Sequence, residues 1–519
     1  MNRFNFRPIL VITISLVLGI LTGIISGYYG YKILISLSVV YTLIFGVLFI
    51  IRRKLKWRAV IVYLLAFITF ISSSVFVFLN SNKSLNKDLK EYNDVVISGT
   101  ITEIKNLTRT AGLEDEYSVV IKGKIDGEVG EYKIGVYFST KDAVYTGSLV
   151  KLKCNLRKTS ANNFNEYLSM IRNGLSYEAY YCNVLEISNP TDFVNVIKQK
   201  LQNNLITQVP TSAGVIYALI TGDEYVMYQD DMLSFRKLGV SHIFAVSGLH
   251  VGFLFALISF ILSIFKVKGK KSYIISSIIL FLYVGFCGFS ASSIRALVII
   301  LVSRFALYFS FKNDKLNTYM TALLIVLLVN PYNVVSYGAI LSFLAYFGIV
   351  FISPTITKLF SKILPDKFAL TISTYVTAFL ITLPVVVDYV DGVSLFSSIF
   401  NFFIVPIIGI VYPFALIGSL LSFIIPLKIF LLVPHILVSG INYFISIIFI
   451  DHFYVKNIIF KSSKIFYYLL MIFLTDKINL TKNEKRFIII LLLTSFILSF
   501  IAVNINGDIF SKNMVNVCL

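Results

Sequence analysis

Long apolar runs separated by short polar turns fill most of this chain, and one polar stretch breaks the pattern. The first runs, 8–27, 33–51 and 59–79, are each long enough to cross about 30 Å of hydrocarbon as a helix. The polar stretch, 80–200, follows a different period. Val150, Leu152, Cys154 and Leu156 alternate with Lys151, Lys153, Asn155 and Arg157, which predicts a strand with one buried face and one basic face. Similar β-rich runs cover 95–103, 116–123, 131–138, 148–156 and 176–187, with Asp126-Gly127 as a turn signal between the second and third. One helical segment, 164–172, falls between the fourth and fifth. Five strands and a helix suit a small OB-like barrel, although the helix is not in its usual place.

Beyond this stretch the pattern predicts an amphipathic helix over 193–206. A short helix over 212–221 follows, capped by Ser212 and stopped at Gly222. Apolar spans then continue to about residue 503. Pro406, Pro413, Pro426 and Pro434 interrupt 395–450, so broken or re-entrant helices are expected there. The predicted fold is a polytopic α-helical membrane protein with an extracytoplasmic OB-like β-barrel domain inserted after the third transmembrane helix. The parts are 1–79 (three helices), 80–190 (barrel), 191–235 (interfacial helices), 236–503 (membrane core) and 504–519 (tail).

Composition supports a membrane protein: 57% of the 519 residues are hydrophobic and only 14% charged, against about a quarter charged in soluble domains. The run after Arg3 and Arg7 lacks an A-x-A-like end and is followed by further spans, so it does not read as a cleaved signal. The net charge of +19 is unevenly spread. Residues 80–200 hold 16 basic and 15 acidic side chains, which leaves 30 basic and 12 acidic for the apolar remainder. The excess thus reads as the positive-inside bias of cytoplasmic loops rather than as a nucleic-acid surface. The dense cluster from Arg52 to Arg58 places the second loop inside, which sends 80–200 outside. The cluster from Lys266 to Lys271 is inside again, as that topology requires, and 482–486 also reads as cytoplasmic.

In the outer domain, Tyr132, Tyr137 and Phe138 with Lys122, Lys124, Lys133, Lys151 and Lys153 are candidates for stacking and neutralising a single strand. The competing reading makes the aromatics core and the lysines a solvated face. Cys154 and Cys182 both fall in this domain, where disulfides persist. They form either a bridge, worth roughly 3 kcal/mol in the chain-entropy model, or a pair of buried thiols. Cys287 and Cys518 have no metal-ligand company.

Two of the four histidines, His242 and His250, fall within Leu238-Gly239-Val240-Ser241-His242-Ile243-Phe244-Ala245-Val246-Ser247-Gly248-Leu249-His250-Val251-Gly252. Gly248 and Gly252 make a G-x-x-x-G pair that permits close helix approach, and polar groups in a span need internal partners or a wet cavity. There is no G-x-S-x-G and no nearby acid, so a Ser–His nucleophile is not supported. Arg295, beside Ser290, Ser292 and Ser293, either meets passing phosphate or snorkels to an interface. Arg304 reads as a cytoplasmic anchor, and Asn401 as an interhelical hydrogen bond or pore lining.

The segment Leu238 to Gly252 resembles the signature of the ComEC family of competence proteins, polytopic channels that take up DNA. Gly288-Phe289-Ser290-Ala291-Ser292-Ser293-Ile294-Arg295-Ala296 resembles its serine–arginine motif. Asn330-Pro331 with Gly338-Ala339-Ile340-Leu341-Ser342-Phe343-Leu344-Ala345 resembles the next, and the domain containing Asn163-Phe164-Asn165-Glu166-Tyr167 its OB-like module. The resemblance implies a multi-pass protein of the bacterial cytoplasmic membrane that conducts single-stranded DNA. Its path would involve His242, Ser247, Gly248, His250, Gly252, Ser292, Arg295 and Asn401. Implied partners are the DNA, a DNA receptor, a cytoplasmic motor, a separate nuclease and membrane lipids. A small-molecule or lipid transporter on the same scaffold and a non-transporting remnant are the alternatives.

Relatives commonly carry a C-terminal metallo-β-lactamase-like domain with an H-x-H-x-D-H metal cluster. His242, His250, His435 and His452 cannot form one, and no P-loop occurs. The expectation is therefore a non-enzyme without cofactors, with any nuclease supplied by another polypeptide or lost through a split or truncated gene.

Overall fold

The computed structural model describes residues 7–51, 57–84, 90–108, 115–128, 130–159, 163–311, 314–390, 392–394, 396–447, 454–456, 463–473, 484 and 488–499. Most of the cluster from Arg52 to Arg58, most of 482–486, and also His452, Cys518 and the tail lie outside them.

Three helices open the chain: α1 (Pro8–Tyr29), α2 (Tyr31–Ile51) and α3 (Trp57–Ser84). Gly19, Gly23 and Gly27 stripe one face of α1. A Cβ at Gly19 would stand 2.1 Å from the Ser73 hydroxyl, and one at Gly23 would stand 2.6 Å from the Ser74 carbonyl. The absence of side chains there lets α3 pack backbone to backbone.

The polar stretch folds into β1 (Tyr92–Thr108), β2 (Asp115–Ile125), β3 (Tyr132–Thr140), β4 (Leu149–Lys158), α4 (Phe164–Asn173) and β5 (Tyr177–Ser188). They close a barrel in the order β1-β2-β3-β5-β4. All neighbours are antiparallel except β3 and β5. Asp126-Gly127 is a turn, with Gly127 at φ 84°, a backbone region suited to glycine. β1 runs past its predicted end because bulges after Ile101 and Ile104 let it bend around the closure. Asn163 caps α4 by accepting from the Glu166 amide at 2.9 Å, and Gly174 ends the helix in the left-handed region. Tyr167 and Ile171 of α4 then bury against Leu16, Ile20 and Ile24 of α1. Arg172 donates to the Val335 carbonyl at 2.6 Å. The helix thus anchors the barrel on the membrane bundle.

Next come α5 (Phe193–Gln208), α6 (Ala213–Thr221), α7 (Gln229–Lys237), α8 (Gly248–Ile264), α9 (Gly269–Phe286), α10 (Ala291–Tyr308) and α11 (Lys315–Val329). α5 carries polar side chains on its protein-facing side. It buries Lys198, Gln202 and Gln208 and exposes Phe193, because Asp223 pairs with Lys198 at 2.8 Å and Tyr225 donates to Gln202 at 3.2 Å. Ser212 does not cap α6 with its side chain; its hydroxyl meets His435 Nδ1 at 2.9 Å.

The chain continues with α12 (Tyr337–Phe347), α13 (Ser353–Phe360), α14 (Asp366–Val390), β6 (Gly392–Ser394), α15 (Ser397–Ile424), α16 (Leu432–Ile447), β7 (Tyr454–Lys456) and α17 (Ser463–Phe473), and a last apolar helix covers Ile488–Ser499. The expected breaks at Pro406 and Pro413 do not occur: α15 runs through both. A proline kinks a helix but need not end it where neighbouring groups take up the freed carbonyls. Pro426 lies just past the end of α15, and Pro434 sits in the first turn of α16, where a missing amide hydrogen costs little.

Among the described residues, nine helices are long and apolar enough to cross a membrane. The protein is a polytopic helical membrane protein with a barrel domain. Two compact units emerge, one from Met1–Gln229, Val246–Ser336 and Tyr412–His435, the other from Asp230–Ala245, Tyr337–Val411 and Ile436–Leu519. In the second, Ile352, Ile381 and Val387 form a core with Tyr467 and Met471 of α17.

Candidate functional site

In the first unit, Ser247 ends an irregular segment and starts α8. Its hydroxyl accepts from the Leu249 amide at 3.3 Å, while His250 Nδ1 accepts from the Ser247 amide at 3.2 Å. This is a capping box in which histidine takes the position usually held by Glu or Gln. With Nδ1 accepting, the neutral ring carries its proton on Nε2. His250 is 1% exposed, and its ring meets that of Tyr412 edge-on at 4.6 Å.

The serine–arginine motif builds a second helix start beside the first. Ser290 caps α10 by accepting from the Ser293 amide at 3.3 Å. Ser292 reaches across and donates to the Val246 carbonyl at 2.9 Å. The starts of α8 and α10 are thereby tied together, both presenting the positive end of a helix dipole. Arg295 follows in the next turn of α10 and is buried, 9% exposed, so it does not snorkel to the surface. Among the described residues, no group of three or more His, Cys, Asp and Glu side chains could hold a metal ion.

Gly248 and Gly252 behave differently from expectation. A Cβ at either would meet nothing within 4 Å among the described residues, so no described neighbour packs closely on them. Space lies open there beside α8 where the sequence suggested contact, whereas Gly19, Gly23 and Gly27 of α1 do meet close neighbours.

His242 and Asn401 belong to the second unit. His242 is exposed. Asn401 is buried and donates to the Ser397 carbonyl at 2.8 Å and to the Gly239 carbonyl at 3.4 Å. Gly239 has φ 73°, and a Cβ there would stand 2.5 Å from Ser397 Cβ. The asparagine therefore fastens the signature's first turn to α15, which is the interhelical alternative.

On the barrel, Lys122, Lys124, Lys133 and Lys151 are exposed on the outer face, with Lys153 half-buried beside them. Lys122 stands opposite Lys133 across β2 and β3, while Ser98 separates Lys124 from Lys151 across β1. Two of these lysines have acidic partners: Lys122 pairs with Glu131 at 3.0 Å and Lys153 with Asp94 at 2.8 Å. Lys122 holds the Glu131 carboxyl below its ordinary value. Tyr137 is exposed and donates to Glu116, an acceptor that raises the phenol's pKa. Tyr132 is half-buried against Tyr177, with ring centroids 5.4 Å apart. Phe138 is not available for stacking: it is core, 2% exposed.

Cys154 and Cys182 lie on the paired strands β4 and β5 as free thiols. Their mutual influence favours ionisation of Cys154 and opposes that of Cys182.

Sequence reading missed Tyr412, Val246 and Gly19. Tyr412 sits in an apolar span with nothing local to mark its partner, and Val246 contributes only its carbonyl. Gly19 could have been found, because it repeats at the same four-residue spacing as Gly23 and Gly27.

A family model described as Competence protein matches residues 219–478. The chain is 27% identical over 267 residues to ComE operon protein 3 of Bacillus subtilis (strain 168), a match covering 50% of this chain and 33% of that relative. The match thus spans about a third of the relative's length. No solved structure matches.

Proposed function

The chain belongs to the competence protein family, and from that premise we propose that it is a channel conducting single-stranded DNA across the bacterial cytoplasmic membrane during DNA uptake. The observation that carries this reading is the Ser292–Val246 hydrogen bond at 2.9 Å. It brings two helix starts together with the buried Arg295 one turn away and open space beside Gly248 and Gly252. Helix N-termini and a guanidinium are suited to a moving phosphate, because both stabilise negative charge without a fixed covalent partner. The arginine in an apolar bundle is expensive, and a phosphate path gives that cost a purpose.

We read the barrel as an OB-like, extracytoplasmic module, a reading supported by its five closed strands. Its outer lysines would hold the incoming strand, with Tyr137 as a stacking platform. Entry from a DNA receptor and pulling by a cytoplasmic motor complete the proposal. The test is internalisation of labelled DNA. Cells deleted for this chain should bind DNA outside and import none, and complementation should restore import. Unchanged import in the deletion strain contradicts the proposal.

A further inference from the structure

α10 carries a second feature at its other end, away from the serine–arginine motif. Ile299, Ile300, Ser303, Arg304, Leu307 and Phe311 line a groove of about 500 Å³. Three of the six are aliphatic and one is aromatic, while Ser303 and Arg304 supply the polar donors. The groove's shape depends on the end of the helix. Ser310 adopts φ 58°, and the Phe311 amide returns to the Ala306 carbonyl at 2.9 Å. The Phe311 ring is thereby folded back, stacked on Phe305 at 5.8 Å.

Arg304 is exposed, and its guanidinium lies over the Phe255 ring at 5.0 Å. Among the described residues it forms no ion pair with a carboxylate. Stacking on Phe255 fixes the guanidinium plane and leaves its edge donors for a ligand. The local charge is strongly positive. Lys270 sits over the Phe309 ring at 4.5 Å, which places the turn from Lys266 to Lys271 at this same end of the bundle. Lys266, Lys268, Lys270 and Lys271 are all exposed.

An aliphatic track on a spanning helix that ends at a positioned guanidinium and a basic turn matches one kind of molecule in chemistry and direction. We propose that this groove binds one anionic phospholipid. Its acyl chain lies along Ile299 and Ile300, one turn before the guanidinium, and its phosphate accepts hydrogen bonds from Arg304 and Ser303. A free phosphate would leave the aliphatic walls unfilled, and a zwitterionic lipid would bring its own cation toward a cluster of cations. The site is independent of DNA conduction and depends only on α10 spanning the membrane.

The test is native mass spectrometry of the full chain in detergent, with phosphatidylglycerol or phosphatidylcholine of identical acyl chains. The wild type should retain one phosphatidylglycerol under activation that strips phosphatidylcholine. Arg304→Leu should lower that retention about fivefold, the size of one basic residue's attraction to an anionic headgroup. Arg304→Lys should keep most of it. Ile300→Trp, which fills the acyl track and spares the arginine, should lower it as well. Lys141→Gln, which removes an exposed basic charge on the barrel, should not. Equal retention of the two lipids by the wild type overturns the proposal, as does unchanged retention in both Arg304→Leu and Ile300→Trp. A lipid-free dimer that Ile300→Trp dissociates would assign the groove to a second copy and overturn it too.

Discussion

The hydroxyl of Ser292 donates to the backbone carbonyl of Val246 at 2.9 Å, joining two motifs whose linked residues lie 46 positions apart. The bond holds the start of α10 against the segment leading into α8. Ser292→Ala should remove a net contribution of about 1 kcal/mol, while Ser292→Thr, which keeps the hydroxyl, should lose less. Thermal unfolding of the purified chain checks this, with a lower midpoint for the alanine variant and a smaller change for the threonine variant.

His250 acts here as a cap, and that role makes a distinguishing prediction. Glutamine also reaches back to an N-cap amide, so His250→Gln should preserve both membrane abundance and DNA import. His250→Leu leaves the Ser247 amide without that acceptor and should destabilise the chain by about 1–3 kcal/mol. Import lost in an abundant His250→Gln variant would show that the imidazole has a chemical task beyond capping.

Much of this architecture was legible in the sequence because its periods are unambiguous. The alternation from Val150 to Arg157 predicted which side of β4 is buried, and Leu152, Cys154 and Leu156 are indeed core. The twenty-residue apolar runs similarly required spanning helices. Contacts distant in sequence were not legible. Gly248 and Gly252 carry the same spacing as Gly19 and Gly23, yet of these two pairs it is the α1 pair that meets a neighbouring backbone. Spacing licenses close approach, but the opposing helix decides whether it happens. Asn401 was ambiguous for a related reason: its partner, the Gly239 carbonyl, is a backbone atom that no side-chain pattern marks.

The barrel's basic face is partly neutralised from within, and releasing it should strengthen DNA binding. Because Lys122 lowers the Glu131 carboxyl pKa, the pair is closed at neutral pH. It opens only as pH falls through that lowered value. Glu131→Gln should therefore bind single-stranded DNA more tightly at pH 7, with a steeper fall in affinity as salt rises, since one more lysine is free to meet phosphate. The difference from wild type should disappear once acid has protonated Glu131. Fluorescence anisotropy with the full chain in nanodiscs, across a salt and pH series, measures both effects.

Cys154 and Cys182 are poised for oxidation if the barrel faces an oxidising compartment. Thiol labelling of the denatured protein from cells, without reductant, should leave both unmodified, and labelling after reduction should add two tags. Two tags without reductant would show that they remain free thiols.

The most direct test of conduction is import of labelled DNA by Arg295 variants, scored against their abundance in the membrane fraction. Removing an intramembrane charge should not hinder insertion, so Arg295→Leu should reach wild-type abundance and import no DNA. Arg295→Lys should import at a reduced rate, because it keeps the charge but loses the planar fork. Wild-type import by an abundant Arg295→Leu protein would contradict the account and place the path elsewhere.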